Sequence, residues 1–407
     1  MHLQTLKEPR MIKTLHLILI YAFCLSTFSI FASGAESNRR DAGCAEIPAV
    51  STAMLEMVAR DEVAGAVTMV ATRDRILHSG AVGLADIQAH IPMRHDAFFW
   101  IASMTKPITA TAVLMLQEEK KLSIDDPVTK YIPEFASLKT SDGKPGNLTL
   151  RHLLTHTSGL SEATDAQYRT ARTLADQIPF YLSKPLQFEP GSKWRYCQSG
   201  INTLGRIVEI VSGLSFPEFL QTRIFDPLGM NDTTFYLSAE QEQRLAKSYK
   251  LSEGKLEEAP IFLFRDQKLT SRDRVPMANG GLFSTASDYM RFCQMILAQG
   301  TYDGKLYLKP ESVKLMTSIQ TGELKAGFID GSGWGLGWGV VREPQGVSAM
   351  LSPGTFGHGG AYGTQAWIDP VKGVCYVLMV QRTNFKNSDN SDVRRAFQAA
   401  ATGFSGR

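Results

Sequence analysis

The chain has 407 residues, of which 43% are hydrophobic and 20% charged, and its formal net charge is +3. That balance excludes a disordered or fibrous protein and fits one large globular domain or two. A nearly neutral chain carries no electrostatic case for binding nucleic acid.

The first 35 residues stand apart from the rest. Lys7, Arg10 and Lys13 precede the apolar run LHLILIYAFCLSTFSIFA, and Ser33-Gly34-Ala35 follow it. This order predicts a secretory signal peptide over residues 1–35, with a single membrane anchor as the alternative. Membrane contact is expected only through this segment if it stays uncleaved, and residues 36–407 are expected outside the cell or in the periplasm. Removing the segment takes away three positive residues and one negative, Glu8, and leaves a net charge of about +1. Cys44, Cys197, Cys293 and Cys375 then remain. Their spacing is too wide for a metal knuckle and reads as free thiols, although an oxidising compartment permits one bridge.

In chain order, GAVTMVATRDRILHSGAVGLA (65–85) predicts a β-hairpin about the polar turn Thr72 to Arg75. A helix follows Lys106, carrying Ile108, Ala112, Leu114 and Leu116 and ending near the charged cluster Glu118 to Lys121. LTLRHLLTHTSGL is read as a short helix capped by Thr149 and stopped by Gly159. SGINTLGRIVEIVSGLSFPEFLQTRIF gives two helices split at Gly213, and STASDYMRFCQMILAQG another, capped by Ser284 or Ser287. The last hundred residues turn β-rich in GWGLGWGVV, TQAWIDP and GVCYVLMVQR, and SDVRRAFQAAATGF closes the chain as a helix. Strands at both ends with helices between them predict an α/β (α+β) fold. Its mostly antiparallel sheet is drawn from both ends of the chain, with flanking helices and a helical subdomain inserted at roughly 107–280.

The pattern S-x-x-K occurs at Ser103/Lys106, Ser141/Lys144 and Ser252/Lys255. The second and third are SDGK and SEGK, whose glycine and charged residues predict solvated turns. Only Ser103 joins an apolar stretch, FFWIA, to a helix. At a helix start, residues three apart share a face, so the Lys106 amine can approach the Ser103 hydroxyl, and free backbone N–H groups lie nearby for an anion. Burial would then lower the lysine toward neutrality, from about 10.4 to about 7, at a cost of roughly 4 to 5 kcal/mol. The plainer reading is a capping serine and a solvated lysine.

Three segments in order bear on that choice: SMTK at Ser103, RYCQSG around Tyr196 and GHGGAYGTQAW around His358. Together they resemble the three active-site motifs of the serine β-lactamase and penicillin-binding-protein superfamily. The class C β-lactamase-like branch, which includes the family VIII carboxylesterases, is the most similar. LLTHTSGL, FDPLGM and NGGLFSTASDYMRF support the likeness, which spans about residues 50 to 400. The resemblance implies a hydrolase that works through an acyl-enzyme, without metal or cofactor, on a small-molecule ester, lactam or D-amino-acid peptide. It implies Ser103 as nucleophile, Lys106 and Tyr196 as the proton-handling pair, and an oxyanion hole of the Ser103 and Ala361 N–H groups. Gln198, His358, Gly359 and Gly360 would contact substrate. Two departures matter: Gln198 stands where this branch has asparagine, and His358-Gly359-Gly360 replaces K-T-G. The missing lysine favours an esterase over a β-lactamase or D-alanyl-D-alanine carboxypeptidase, and the complete Ser/Lys/Tyr set argues against a non-catalytic binding protein on the same fold. His152 and His156, four apart with no glutamate to complete a zinc site, are expected to be structural. Asp125-Asp126 is expected to brace its loop, and Trp334 and Trp338 to pack.

Overall fold

The computed structural model describes residues 46–264 and 267–403; the signal segment read at 1–35, and Cys44, lie outside them. Among the described residues, no helix is long and apolar enough to cross a membrane. Strands β1 (Gly65–Ala71) and β2 (Ile76–Asp86) form the expected hairpin, closed where the Thr72 N–H donates to the Arg75 carbonyl at 2.8 Å. With β3 (Ile91–Pro92), β4 (Ser332–Trp334), β5 (Gly339–Val341), β6 (Phe356–Gly359), β7 (Gln365–Asp369) and β8 (Val374–Met379) they build one antiparallel sheet. Its order is β4-β5-β6-β7-β8-β1-β2-β3. The two ends of the chain meet where β1 pairs with β8, Val67 opposite Met379.

Both faces of this sheet are covered, which explains why β8 reads VCYVLM with no polar alternation. Cys375, Val377 and Met379 point into the larger core beneath helix α6 (Ala286–Leu297). Tyr376 and Leu378 point the other way, onto α1 (Pro48–Ala59) and α7 (Asp392–Thr402).

The helical part leaves and re-enters at one place, a two-stranded ribbon in which Phe99 lies opposite Ser284 and Trp100 opposite Phe283. Between these ends run α2 (Thr105–Glu118), α3 (Leu150–Leu154), α4 (Asp165–Thr170) and α5 (Gln198–Ser212). Every residue of α2 from Thr105 to Leu116 is buried, so small and apolar side chains surround it on all sides. Helix α5 stops where Gly213 turns left-handed at φ +75°.

The local reading needs two corrections. Helix α3 ends at Thr155, and Gly159, at φ +72°, turns the following loop instead of capping the helix. Helix α6 is capped by Thr285, whose hydroxyl accepts the Asp288 N–H at 3.3 Å, because Ser284 is committed to the ribbon and bonds Thr233. SDGK and SEGK are turns, with Gly143 at φ +84° and Gly254 at φ +80°. Asp126 accepts the Ser123 N–H at 2.7 Å and Asp125 pairs with Arg151 at 2.7 Å, so both brace the loop before α3. Cys197, Cys293 and Cys375 are buried and free.

Candidate active site

Ser103 lies two residues before α2, in the 3-10 turn Ala102–Met104 that leads into the helix. Ala102 takes φ +45°, a conformation that costs a non-glycine residue on the order of 1 kcal/mol and needs support from its surroundings. Thr105 supplies it: its hydroxyl donates to the Ala102 carbonyl at 2.7 Å and accepts the Leu282 N–H at 3.3 Å. The first backbone bond of the turn is Met104 N–H to Ile101 O at 3.0 Å, so the Ser103 N–H precedes it and has no partner within the turn.

Lys106 projects from the first turn of α2 and is fully buried, with Nζ 3.1 Å from Ser103 Oγ and 2.7 Å from the Asn279 carbonyl. Burial brings its pKa down to about 7, against the opposing pull of the Glu162 carboxylate. Near neutral pH a large fraction of the amine is therefore free to take a proton. The same nitrogen sits 4.6 Å from the centre of the Tyr196 ring.

Tyr196 stands on the loop that leads into α5, gripped by aromatic rings: His156 at 4.4 Å, Phe328 at 4.8 Å and Trp334 at 5.9 Å between centroids. Tyr196 is half-buried, and burial pushes its hydroxyl well above its usual 10, with the Ser103 hydroxyl opposing the shift. At rest Tyr196 is a phenol. His156 holds this loop through Nδ1, which accepts the Cys197 N–H at 3.1 Å, and its burial keeps it neutral. His152 closes the capping box of α3, so both histidines are structural. Trp338 packs in the core, whereas Trp334 backs Tyr196 and His358.

A pocket of about 430 Å³ opens beside Ser103, and Gln198 and Ala361 line it as well. Gln198 heads α5, and its Oε1 accepts from Asn279 Nδ2 at 2.8 Å. The carboxylate of Glu162 caps the same helix, taking the Gln198 N–H at 2.5 Å and the Ser199 N–H at 3.1 Å.

Gly359 and Gly360, expected like His358 to contact substrate, are buried. His358 is buried behind Tyr196 with Nε2 3.4 Å from the phenol oxygen and Nδ1 2.7 Å from the Gly359 carbonyl. Burial, then the nearby Lys106, brings its pKa down to about 3, so the ring is neutral. With Nδ1 protonated toward Gly359, Nε2 is the acceptor for the Tyr196 hydroxyl. A Cβ on Gly359 would strike the buried Asp389 carboxylate, and one on Gly360 would strike Thr364 and the Ile101 carbonyl. The two glycines serve close packing of the strand end that carries Ala361.

Thr105, Glu162 and Asn279 escaped the sequence reading. Asn279 opens NGGLFSTASDYMRF and Glu162 follows LLTHTSGL, so both sat beside quoted stretches without a pattern of their own.

The Beta-lactamase family model matches residues 50–401. Protein Rv1367c of Mycobacterium tuberculosis is 36% identical over 352 residues, covering 78% of this chain and 86% of that one. Esterase EstB of Burkholderia gladioli is 32% identical over 347 residues, covering 77% and 85%. Among solved structures, EstCE1, described as a hydrolase with promiscuous acyltransferase activity, superposes with a TM-score of 0.75 at 23% identity, covering 88% and 98%, a likeness of fold. The chain belongs to the β-lactamase family within the serine β-lactamase and penicillin-binding-protein superfamily.

Proposed function

We propose that the protein is a serine hydrolase that cleaves neutral esters through an acyl-enzyme on Ser103. The observation that carries this reading is the 3.1 Å approach of Ser103 Oγ to a buried lysine whose pKa is about 7. Lys106 takes the Ser103 proton as Oγ attacks the ester carbonyl carbon, and the N–H groups of Ser103 and Ala361 hold the resulting oxyanion. Tyr196, held by His358, gives its proton to the departing alkoxide and regains one from the Lys106 ammonium. Water then attacks the acyl-enzyme, its proton passing to the same Lys106/Tyr196 pair, and the acid leaves with Ser103 restored. Because Tyr196 is a phenol at rest and Lys106 is largely neutral, Lys106 is the resting base. EstB, a relative named as an esterase, supports the ester reading.

The charges around the site favour neutral substrates. His358 brings no positive charge. Arg195 and Arg342 do not line the pocket, and Arg342 pairs with Glu323 at 2.9 Å. Among the described residues, Arg169 is the cation that lines the pocket, and the carboxylates of Glu162 and Asp165 line it too. The test is kcat/KM at pH 7.5 for p-nitrophenyl acetate and butyrate beside nitrocefin and a D-alanyl dipeptide. The esters should lead by at least tenfold; a tenfold lead for lactam or peptide would replace this reading with a β-lactamase or D-alanyl-D-alanine carboxypeptidase. Export on a leader at residues 1–35 is part of the proposal, and the mass of the secreted chain checks it, since it should lack that segment.

A further inference from the structure

The pocket beside Ser103 is far larger than a short ester requires. An acetyl group occupies on the order of two water volumes of about 30 Å³ each, and the pocket holds about 430 Å³. Six apolar side chains line it, Trp100, Phe262, Leu263, Phe264, Val275 and Met277, with Gln267 beside them. Trp100 is the fixed floor, buried, with its indole N–H donated to the Gly280 carbonyl at 2.7 Å. Phe262, Phe264 and Tyr362 meet it edge-on at 5.4, 5.8 and 5.0 Å.

Phe262 is 54% exposed at the rim of this wall, an unusual position for a phenylalanine unless something apolar covers it. It is also held in place. The Tyr362 hydroxyl accepts the Phe262 N–H at 3.0 Å and donates to the Pro260 carbonyl at 2.9 Å. Tyr362 directly follows Ala361, so the segment bearing Phe262 is tied to the residue that would hold the oxyanion. A side chain anchored in this way meets a ligand at little cost in ordering.

The direction of the substrate follows from the proton donor. The leaving alkoxide must reach Tyr196, whose ring packs with His156, Phe328, Trp334 and His358, apart from the cluster that Phe262 and Phe264 form on Trp100. The alcohol portion therefore lies on the Tyr196 side, and the acyl portion enters the pocket.

Building on the acyl-enzyme reading above, we infer that this pocket is an acyl site for bulky neutral apolar groups, medium-chain alkanoyl or arylalkanoyl, with Phe262 as its specificity-determining rim. Each methylene buried against the wall contributes binding energy that an acetyl group cannot use.

The test is a series of p-nitrophenyl esters from acetate through butyrate to octanoate and phenylacetate, with ethyl octanoate and octyl acetate compared as a transposed pair. Octanoate should exceed acetate in kcat/KM by about tenfold or more, and ethyl octanoate should exceed octyl acetate. Phe262→Ala should lower the octanoate-to-acetate ratio about tenfold, chiefly through KM. Val275→Phe, which fills the pocket from its buried side, should lower the same ratio even if the Phe262 variant folds poorly. A flat or falling series, an equal loss on both esters in Phe262→Ala, or a preference for octyl acetate would overturn the inference while leaving the esterase reading intact. No turnover of any ester would sink both.

Discussion

Ser103/Lys106 and Ser252/Lys255 share one four-residue pattern and have opposite surroundings. Ser252 and Lys255 flank the tip of a small hairpin, where the lysine is exposed. At the remaining copy, Ser141/Lys144, Lys144 pairs with Asp142 at 3.0 Å, and that partner raises its pKa. Lys106 has no carboxylate partner at its nitrogen, is fully buried and is brought down to about 7. The spacing of two residues decides nothing about chemistry; the desolvation of the amine does.

The sharpest way to break that contrast is to remove each serine in turn. Ser103→Ala should lower ester kcat/KM by at least 10³-fold, with Ser141→Ala and Ser252→Ala near wild type. Comparable losses at all three would mean that the buried copy is not special.

The next effect concerns whether the buried lysine works alone. Lys106→Ala and Tyr196→Phe should each cost on the order of 10²-fold or more, and the double variant far less than the product, because both groups handle one proton. Multiplicative losses in steady-state rates would show independent roles.

The pH profile reads the lysine directly. Below its pKa of about 7 the amine is protonated and cannot act as base, so kcat/KM should fall about tenfold per pH unit and level off above. A profile flat down to pH 5 would remove Lys106 as the base.

The smallest effect is on stability, where removing the lysine should help although it destroys activity. In the unfolded chain the lysine returns to 10.5, so between about pH 7 and 10.5 the unfolded state binds more protons and stability rises with pH. Below pH 7 the buried charge carries its full penalty, on the order of 4 kcal/mol. Lys106→Met should therefore raise the Tm by a few degrees at pH 6, with the gain shrinking toward pH 10. Thermal melts at the two pH values check this, and a lower Tm at pH 6 would contradict it.

Much of this site was legible because its key residues carry local patterns. Ser103 and Lys106 are three apart beside an apolar stretch, Tyr196 sits in RYCQSG, and the β1–β2 hairpin announces itself by its turn. What was hidden is non-local. Asn279 gives its carbonyl to Lys106 across 173 residues, and Leu282 buttresses Thr105 across 177. His358 was found by its motif but its contact with Tyr196 was not, since nothing local says that a strand histidine will lie behind a tyrosine 162 residues away. The cap of α6 failed for a smaller reason: Ser284, Thr285 and Ser287 can all cap, and it is the ribbon pairing of Ser284 together with the Asp288 N–H on Thr285 that decides among them.

The central claim is a covalent acyl-enzyme on Ser103, and the most direct measurement is peptide mapping by mass spectrometry after exposure to a fluorophosphonate, with a penicillin in a parallel arm. The fluorophosphonate adduct should fall on the peptide containing Ser103, persist in Ser252→Ala and vanish in Ser103→Ala, with little or no penicillin adduct. An adduct on any other residue, or one that survives Ser103→Ala, would contradict it.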